Sequence, residues 1–246
     1  MSGTSAALSY TRYELLRTVR NKRFFIFSLV FPLLLYFSIA ASHRTVKVEG
    51  VTFPLYYMTG MVSWGTMAAL MAGGARIALE RSAGWTRQMR ITPLSTWAYF
   101  GAKIASGYMM ASVSIVLLYL AGISLGVHLS AQGWLIMTGL ILVGLIPFAL
   151  LGIVLGHLLS ADSIGPALGG GTSVLALLGG SFGPLATSGT LQKVLEYVPS
   201  YWLVQAGRSA LAGHAWPLRG WIIMAVWTAA LARLAVRVYQ RDTARS

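Results

Sequence analysis

The sequence contains 246 residues, of which 56% are hydrophobic and only 10% are charged, and its mean hydropathy is +0.68. Ordinary soluble domains carry roughly 25% charged residues, so this chain lacks the polar surface that would cover a soluble core of its size. The composition is also far too apolar for an intrinsically disordered protein. We therefore predict a membrane protein rather than a soluble enzyme with a large core.

The formal net charge of +13 needs a separate explanation, because in a soluble protein it would indicate nucleic-acid binding. In a membrane protein, basic residues beside the spans orient the helices and contact anionic lipid. The chain has no cysteine, which excludes a disulfide framework, a thiolate metal site and a cysteine nucleophile. Its four histidines have no metal-ligand spacing, so we predict no metal site.

Uncharged apolar stretches of about 18 or more residues predict transmembrane helices. The longest stretch, residues 104–161, contains no Asp, Glu, Lys or Arg and is too long for one span, so a turn at 128–133 divides it. We predict an all-α polytopic membrane protein with one domain, 1–246, and six spans, with five or seven spans as alternatives. The predicted spans are residues 24–42, 54–75, 99–127, 133–159, 163–182 and 218–238.

The distribution of basic residues predicts the orientation of the chain. If both termini lie in the cytoplasm, most Lys and Arg residues fall on the inner side, as the positive-inside rule requires. The outer segments then hold only five of the 19, namely Arg44, Lys47, Lys193, Arg208 and Arg219. We therefore expect a multi-pass protein of the cell membrane, and we attribute the basic excess to topology and not to nucleic acid.

The segment before the first span, residues 1–23, has an amphipathic pattern. Its apolar residues share one helical side, while Arg17 and Arg20 lie away from it. The apolar residues are Leu8, Leu15, Leu16 and Val19. We predict a helix on the cytoplasmic surface with its cations near lipid phosphates, and a merely basic leader is the alternative.

The inner loop between the second and third spans, residues 76–97, is long for a simple turn. Trp85 and Met89 are i,i+4 neighbours and share a helical face, Gly84 bends the segment, and Pro93 ends it. An exposed Trp/Met face flanked by arginines suits a cytoplasmic helix that docks into a groove of another protein. A lipid-facing interfacial helix is an equally good reading of the same pattern.

The outer segment between the fifth and sixth spans contains two half-length apolar stretches. The pattern over 190–198 predicts a short amphipathic helix that Pro199 stops. A second apolar stretch begins at Tyr201 and Trp202. We predict a re-entrant or interfacial hairpin on the extracellular side, with a structural lid as the alternative.

Several kinds of chemistry are missing from the sequence. It has no phosphate-binding loop G-x-x-x-x-G-K-[ST], no H-E-x-x-H and no G-x-S-x-G. No acidic residue lies in the middle of a predicted span, which argues against a proton-relay pump. The run Gly169–Gly171 lies in an apolar span and predicts close helix packing. We predict no catalytic residue in this chain, so a driven transport process would need an energy-supplying partner.

Two runs of residues resemble a known family. The inner-loop run from Glu80 to Leu94, ERSAGWTRQMRITPL, resembles the signature of ABC-2 type transporter permeases, and more narrowly of daunorubicin-type drug exporter subunits. The outer run from Val198 to Arg208, VPSYWLVQAGR, resembles the second characteristic stretch of that family. The order of leader helix, six spans, inner loop and outer hairpin agrees over nearly the whole chain.

This resemblance implies a half-transporter in which two permease copies each bind a separate nucleotide-binding subunit. ATP and Mg would bind to that partner, and this chain would hold no cofactor. The inner loop would enter a groove on the ATPase, with the leader helix beside it. The residues implied for ATPase coupling are Glu80, Gly84, Trp85, Arg87, Arg90, Pro93 and Leu94. Those implied for the leader helix are Glu14, Arg17 and Arg20, and those of the outer hairpin are Pro199, Trp202 and Arg208.

The sequence departs from the family pattern at two positions. Ser82 stands where relatives often have a second acidic residue, which puts in doubt a salt bridge transferred to this site. Gln205 stands where an acid is common, so we assign that position no charge-dependent role.

We predict the membrane subunit of an exporter for an amphipathic compound, such as a drug, an antibiotic or a lipid-like molecule. The cargo would pass where two copies of spans two and five meet, and packing within the chain is the alternative role for the side chains of span two. The candidate pathway residues are Tyr56, Tyr57, Met61, Trp64 and Met67. An ATP-independent membrane assembly or immunity factor and a passive channel are the alternative functions.

Overall fold

The computed structural model describes residues 3–20, 22–48, 50–84, 95–185 and 188–244, and these residues are almost entirely helical. This confirms the predicted all-α class, apart from one small antiparallel hairpin of strands β1 (Lys47–Val48) and β2 (Val51–Thr52). The helices are α1 (Gly3–Arg20), α2 (Lys22–Ala40), α3 (Phe53–Ser82), α4 (Thr96–Ser124), α5 (Ala131–Gly144), α6 (Ile146–Leu158), α7 (Ala161–Gly179), α8 (Gly189–Leu195), α9 (Pro199–Leu211) and α10 (Leu218–Ala244).

Serine side chains define where three of these helices begin. The hydroxyl of Ser95 accepts a hydrogen bond from the backbone N–H of Ala98 at the start of α4. Ser130 and Ser160 cap α5 and α7 in the same way. Each cap satisfies a backbone donor that has no partner within the helix. The cap at Ser130 explains why the turn predicted at 128–133 ends there and the helix begins at Ala131.

Two prolines alter the predicted elements. The predicted fourth span, 133–159, is divided into α5 and α6, because Pro147 has no backbone N–H and interrupts the hydrogen-bond ladder near Leu145. Pro199 was expected to stop a helix, but the preceding helix ends at Leu195 and Pro199 is the first residue of α9. Its fixed φ and missing donor suit that position, so the expectation that it acts as a stop is wrong.

Helix α3 occupies the centre of the bundle and packs against α2, α4, α6, α7 and α9. Its contact with α6 is a direct approach of two backbones. A Cβ atom on Gly74 would lie 2.5 Å from the backbone nitrogen of Ile153, and one on Gly156 would lie 2.6 Å from the carbonyl oxygen of Gly74. Only glycine allows this spacing, which is typical of helix packing inside membranes.

Three helical stretches are long and apolar enough to cross a membrane among the residues that the structure describes. They are Trp97–Ser124, Ala131–Leu158 and Leu218–Asp242. They identify the chain as a membrane protein, and many large apolar side chains on the outside of the bundle fit contact with lipid. Helices α2, α3 and α7 occupy the other predicted spans, but the count of six stays a prediction.

The glycine run Gly169–Gly171 does not pack against another part of the described chain. A Cβ atom built at any of these positions would meet no heavy atom within 4 Å, and the same holds for Gly165 one turn earlier on α7. The expectation of close packing is therefore wrong within a single copy. This leaves α7 with an open face of small residues.

The bundle has two distinct ends. At one end, which we call the charged end, α1 contacts the end of α3 and the beginning of α4, and α6 and α10 finish beside them. The opposite end contains the β-hairpin, the turn before α5, and helices α8 and α9.

Candidate functional site

Five ionisable side chains from three helices meet at the charged end. Glu14 and Arg17 come from α1, Arg76 and Glu80 from α3, and Lys103 from α4. We call this group the Lys103 cluster. Its members are distant in sequence, so the cluster fixes the three helices relative to one another.

Lys103 lies between the two carboxylates of the cluster. Its ammonium group donates to Oε1 of Glu14 at 2.8 Å and also to Oε1 of Glu80. Lys103 and Glu14 are fully buried, and Glu80 is 2% exposed. Charges so far from solvent are stable only when they are paired and hydrogen-bonded, and each of these three groups satisfies that condition through the others.

Glu80 accepts two further hydrogen bonds. Arg17 donates to its Oε1 at 2.6 Å, and the hydroxyl of Tyr99 donates to its Oε2 at 2.6 Å. Burial alone would raise the pKa of Glu80, but the charge and hydrogen bond of Lys103, assisted by Tyr99 and Arg17, hold that pKa below its usual value. Glu80 therefore stays ionised near neutral pH, and the stability that it contributes is lost only as the pH falls through its lowered pKa.

Arg17 is the most exposed member of the cluster. Burial acts to lower the pKa of its guanidinium, but the charge and hydrogen bond of Glu80, together with the charge of Glu14, outweigh that effect and raise it. On the other side of Glu14, Arg76 donates to the hydroxyl of Thr18 at 2.6 Å. Both ends of the Glu14–Thr18 turn of α1 are therefore attached to α3.

A second group of charges lies one residue further along α3. The Nε of Arg81 contacts the Oδ2 of Asp242 on α10 at 2.8 Å, and Nδ1 of His157 on α6 lies 2.9 Å from the same oxygen. Arg81 also donates to the carbonyl oxygen of His157 at 2.6 Å. This Asp242 cluster joins α3, α6 and α10, so adjacent residues of α3 hold two separate sets of helices.

The predicted coupling loop begins and ends beside these clusters. Helix α3 ends at Ser82, and Gly84 follows with φ of +70°, a conformation that glycine adopts without strain. The structure describes the chain again at Ser95, eight residues before Lys103 in sequence. Five predicted coupling residues lie outside the described residues, and they are Trp85, Arg87, Arg90, Pro93 and Leu94.

The predicted leader helix forms as α1, but its polar face points inward. Glu14 and Thr18 are buried against the bundle, while Leu8, Leu16 and Val19 are exposed. Arg20 is exposed at the end of the helix. The outer face therefore combines apolar side chains with exposed arginines, which suits a helix at a lipid surface. The surface position itself stays a prediction.

The span-two residues proposed for the cargo pathway lie in the core of the single chain. Their exposed fractions are between 0 and 7%. They are Tyr56, Tyr57, Met61, Trp64 and Met67. Core packing accounts for them in this structure, and a role in the pathway stays a prediction.

The outer-hairpin residues are brought together at the opposite end. Pro199, Trp202 and Arg208 all lie on α9. The indole N–H of Trp202 donates to the carbonyl oxygen of Glu196, which ties α9 to the end of α8. Arg208 donates to the hydroxyl of Tyr56 at 2.7 Å and lies over its ring, so it connects the hairpin to α3.

Sequence reasoning found three members of the Lys103 cluster and missed the other two, Lys103 and Arg76. A signal for Lys103 was present, because it lies inside the predicted third span, where a charge requires a partner. In the charge distribution Lys103 counts only as one of the basic residues on the inner side. Ser82 removes a second acidic residue from this segment, but Glu80 still forms ion pairs with Arg17 and Lys103.

These features define a helical membrane protein in which the charged end holds together the helices on both sides of the loop 85–94. A family profile described as "ABC-2 family transporter protein" matches residues 36–237, more than half of the chain. The chain therefore belongs to the ABC-2 transporter family, which confirms the resemblance found in its sequence. A curated relative, the "Putative transport permease YvfS" of Bacillus subtilis (strain 168), is 29% identical over 192 residues, which cover 76% of this chain and 78% of the relative.

Family membership makes the chain a transporter membrane subunit, and this class of permease works in general with a partner ATP-binding subunit.

Removing the shared cation should destabilise the protein strongly. Lys103→Met would leave two buried carboxylates facing each other, and we expect a loss of about 3–5 kcal/mol in the free energy of unfolding in detergent. The double variant Lys103→Met, Glu14→Gln should lose less than the sum of the single changes, because the two residues are coupled.

The matched control is Arg20→Met, which removes an exposed cation from the end of α1 and should change the free energy of unfolding by less than about 0.5 kcal/mol. Denaturant unfolding followed by circular dichroism measures the unchanged protein, the two single variants, the double variant and the control. A Lys103→Met variant as stable as the Arg20→Met control would contradict the role of the cluster.

Proposed function

We propose that this chain is the membrane-spanning permease subunit of an ATP-binding cassette exporter, and that it moves an amphipathic compound out of the cell. ATP, with Mg, would be bound and hydrolysed by a separate nucleotide-binding subunit. The observation that supports this most directly is the Lys103 cluster, because it joins the helices on both sides of the loop 85–94 within a chain of the ABC-2 family.

The cluster offers a physical route for coupling. A force that the ATPase applies to the loop would act on the end of α3 and the beginning of α4 together, since Glu80 and Lys103 hold these ends in contact. Helix α1 would move with them through Glu14. Because α3 packs against five other helices, the displacement would reach most of the bundle. Packed helices respond to such a force by shifting as units.

We propose six spans, with the charged end and both termini in the cytoplasm of the cell. The support is the positive-inside distribution of Lys and Arg and the fact that a helix occupies every predicted span. The loop 85–94 would then face the ATPase, and α8 and α9 would form the extracellular hairpin.

A second copy of this chain would complete the pathway, giving a complex of two permeases and two ATPases. The support is the open glycine face of α7 at Gly165 and Gly169–Gly171, where a partner helix can approach closely. The cargo would then pass along the interface between copies. The buried span-two residues would contribute only if helix movement uncovers them.

Membership of a transporter family favours this proposal over an ATP-independent assembly or immunity factor. A passive channel differs from the proposal in one measurable way, because it would conduct in bilayers without ATP or a partner.

The proposed topology predicts opposite accessibility for two exposed serines. The chain has no cysteine, so single cysteines placed by Ser95→Cys and Ser188→Cys can be labelled with a membrane-impermeant maleimide on intact cells. We expect Ser188→Cys to react at once and Ser95→Cys to react only after the membrane is permeabilised. Equal reaction of both variants on intact cells would refute the arrangement.

The coupling loop should be needed for binding of the ATP-binding subunit and not for insertion of the chain into the membrane. Trp85→Ala combined with Arg87→Ala removes the aromatic and cationic anchors of the proposed docking face, and we expect about a tenfold loss of co-purified ATP-binding subunit and of ATP-coupled transport. Membrane insertion should be unchanged.

The matched control combines Trp221→Ala with Arg44→Ala, the same two residue types at the opposite end. It should retain the partner. Equal recovery of the ATP-binding subunit from both double variants would mean that the loop is not the docking site.

A further inference from the structure

A small cavity lies at the opposite end, between the end of α7 and the two helices of the hairpin. Its volume is about 140 Å³, enough for a group the size of a benzene ring. The walls combine apolar and polar side chains from α7, α8, α9 and the segment after α7. The polar lining residues are Gln192, Tyr201, Gln205 and Arg208, and no Asp or Glu lines the cavity among the described residues.

Arg208 distinguishes this cavity from the charged end. In the part of the chain that the structure describes, Arg17, Arg76, Arg81 and Lys103 each contact a carboxylate. Arg208 is partly buried and forms no ion pair with any described residue. A half-buried cation without a counter-charge is costly in an apolar environment, which indicates that an anion can complete this site.

Tyr56 on α3 holds the guanidinium of Arg208 in position. Its Nη2 donates to the hydroxyl of Tyr56 at 2.7 Å, and the group lies 4.9 Å from the centre of the Tyr56 ring. Its Nε is buried and has no hydrogen-bond partner within the described ranges. One edge of the cation is therefore held by the protein, while a donor on another edge is unsatisfied.

Two neutral donors accompany the cation. The carboxamides of Gln192 on α8 and Gln205 on α9 both line the cavity, and neither makes a side-chain hydrogen bond with another described residue. Each amide supplies two N–H donors. Leu178, Leu185 and Leu195 provide an apolar wall beside them.

We propose that this cavity binds the oxyanion headgroup of an amphiphile, a phosphate or a carboxylate, with Arg208 as its cation and the two glutamine amides as additional donors. The planar guanidinium suits both oxyanions because it can donate through parallel N–H groups. The leucines would contact the first carbons of the apolar tail. This binding does not rest on the proposed transport, because it can be measured on the chain alone.

The test uses the full chain purified in an uncharged maltoside detergent and titrated by calorimetry. Dodecyl phosphate and laurate are the anionic probes, dodecanol has a matched tail without charge, and inorganic phosphate has the charge without a tail. We expect both anionic amphiphiles to bind at least about tenfold more tightly than dodecanol and than inorganic phosphate.

Two variants locate the binding in the cavity. Arg208→Gln removes the cation. Gln205→Leu removes a donor that makes no side-chain hydrogen bond with another described residue, so it stays informative even if loss of the Tyr56 contact destabilises the first variant. Each should weaken dodecyl phosphate binding about tenfold or more. The matched control is Lys193→Gln, which removes an exposed cation from α8 outside the cavity and should leave the affinity within about twofold.

Three results would overturn the proposal. They are equal affinity for dodecyl phosphate and dodecanol, inorganic phosphate binding as tightly as dodecyl phosphate, and a loss in Lys193→Gln as large as in Gln205→Leu. The first would show an apolar site, the second a free-anion site, and the third a diffuse surface charge effect.

Discussion

The arrangement of this molecule depends on one buried ammonium group placed between two buried carboxylates. Lys103 pairs with Glu14 and Glu80, and none of the three is more than 2% exposed. Without its partners each charge would be strongly unfavourable in this environment. The three helices that supply them must therefore stay together, although α1 and α4 are separated in sequence by the whole of α2 and α3. This constraint prevents the ends of α1, α3 and α4 from moving independently of one another at the charged end.

The ion pairs of the charged end differ from the surroundings of Arg208 at the opposite end. At the charged end, Glu80 and Arg81 are neighbours on α3 but belong to separate clusters, one with α1 and α4 and the other with α6 and α10. A displacement of the end of α3 would act on both sets of helices. At the opposite end, Arg208 meets a neutral tyrosine and a small cavity. The export that we propose would use both properties, the connected helix ends for coupling to an ATPase and the cavity for the polar headgroup of the cargo.

Much of the fold was predictable because lipid allows few solutions for an apolar backbone. Composition alone gave the membrane class, and hydropathy placed a helix in each predicted span. Local chemistry was harder, since Pro199 begins a helix as readily as it ends one, and Pro147 divides a continuous apolar run. The Lys103 cluster depends on contacts between distant segments, and one sequence contains no direct record of them. The glycine run predicts close packing, but the sequence does not show whether its small residues face the same chain or another helix.

Hydrogen–deuterium exchange of α1 tests the central claim most directly. If the Lys103 cluster holds α1 against the bundle, the amides of α1 should exchange at least about tenfold faster in Lys103→Gln than in the unchanged protein. The amides of α6 and α10, which the Asp242 cluster joins, should keep their protection. Unchanged protection of α1 in this variant would contradict the account.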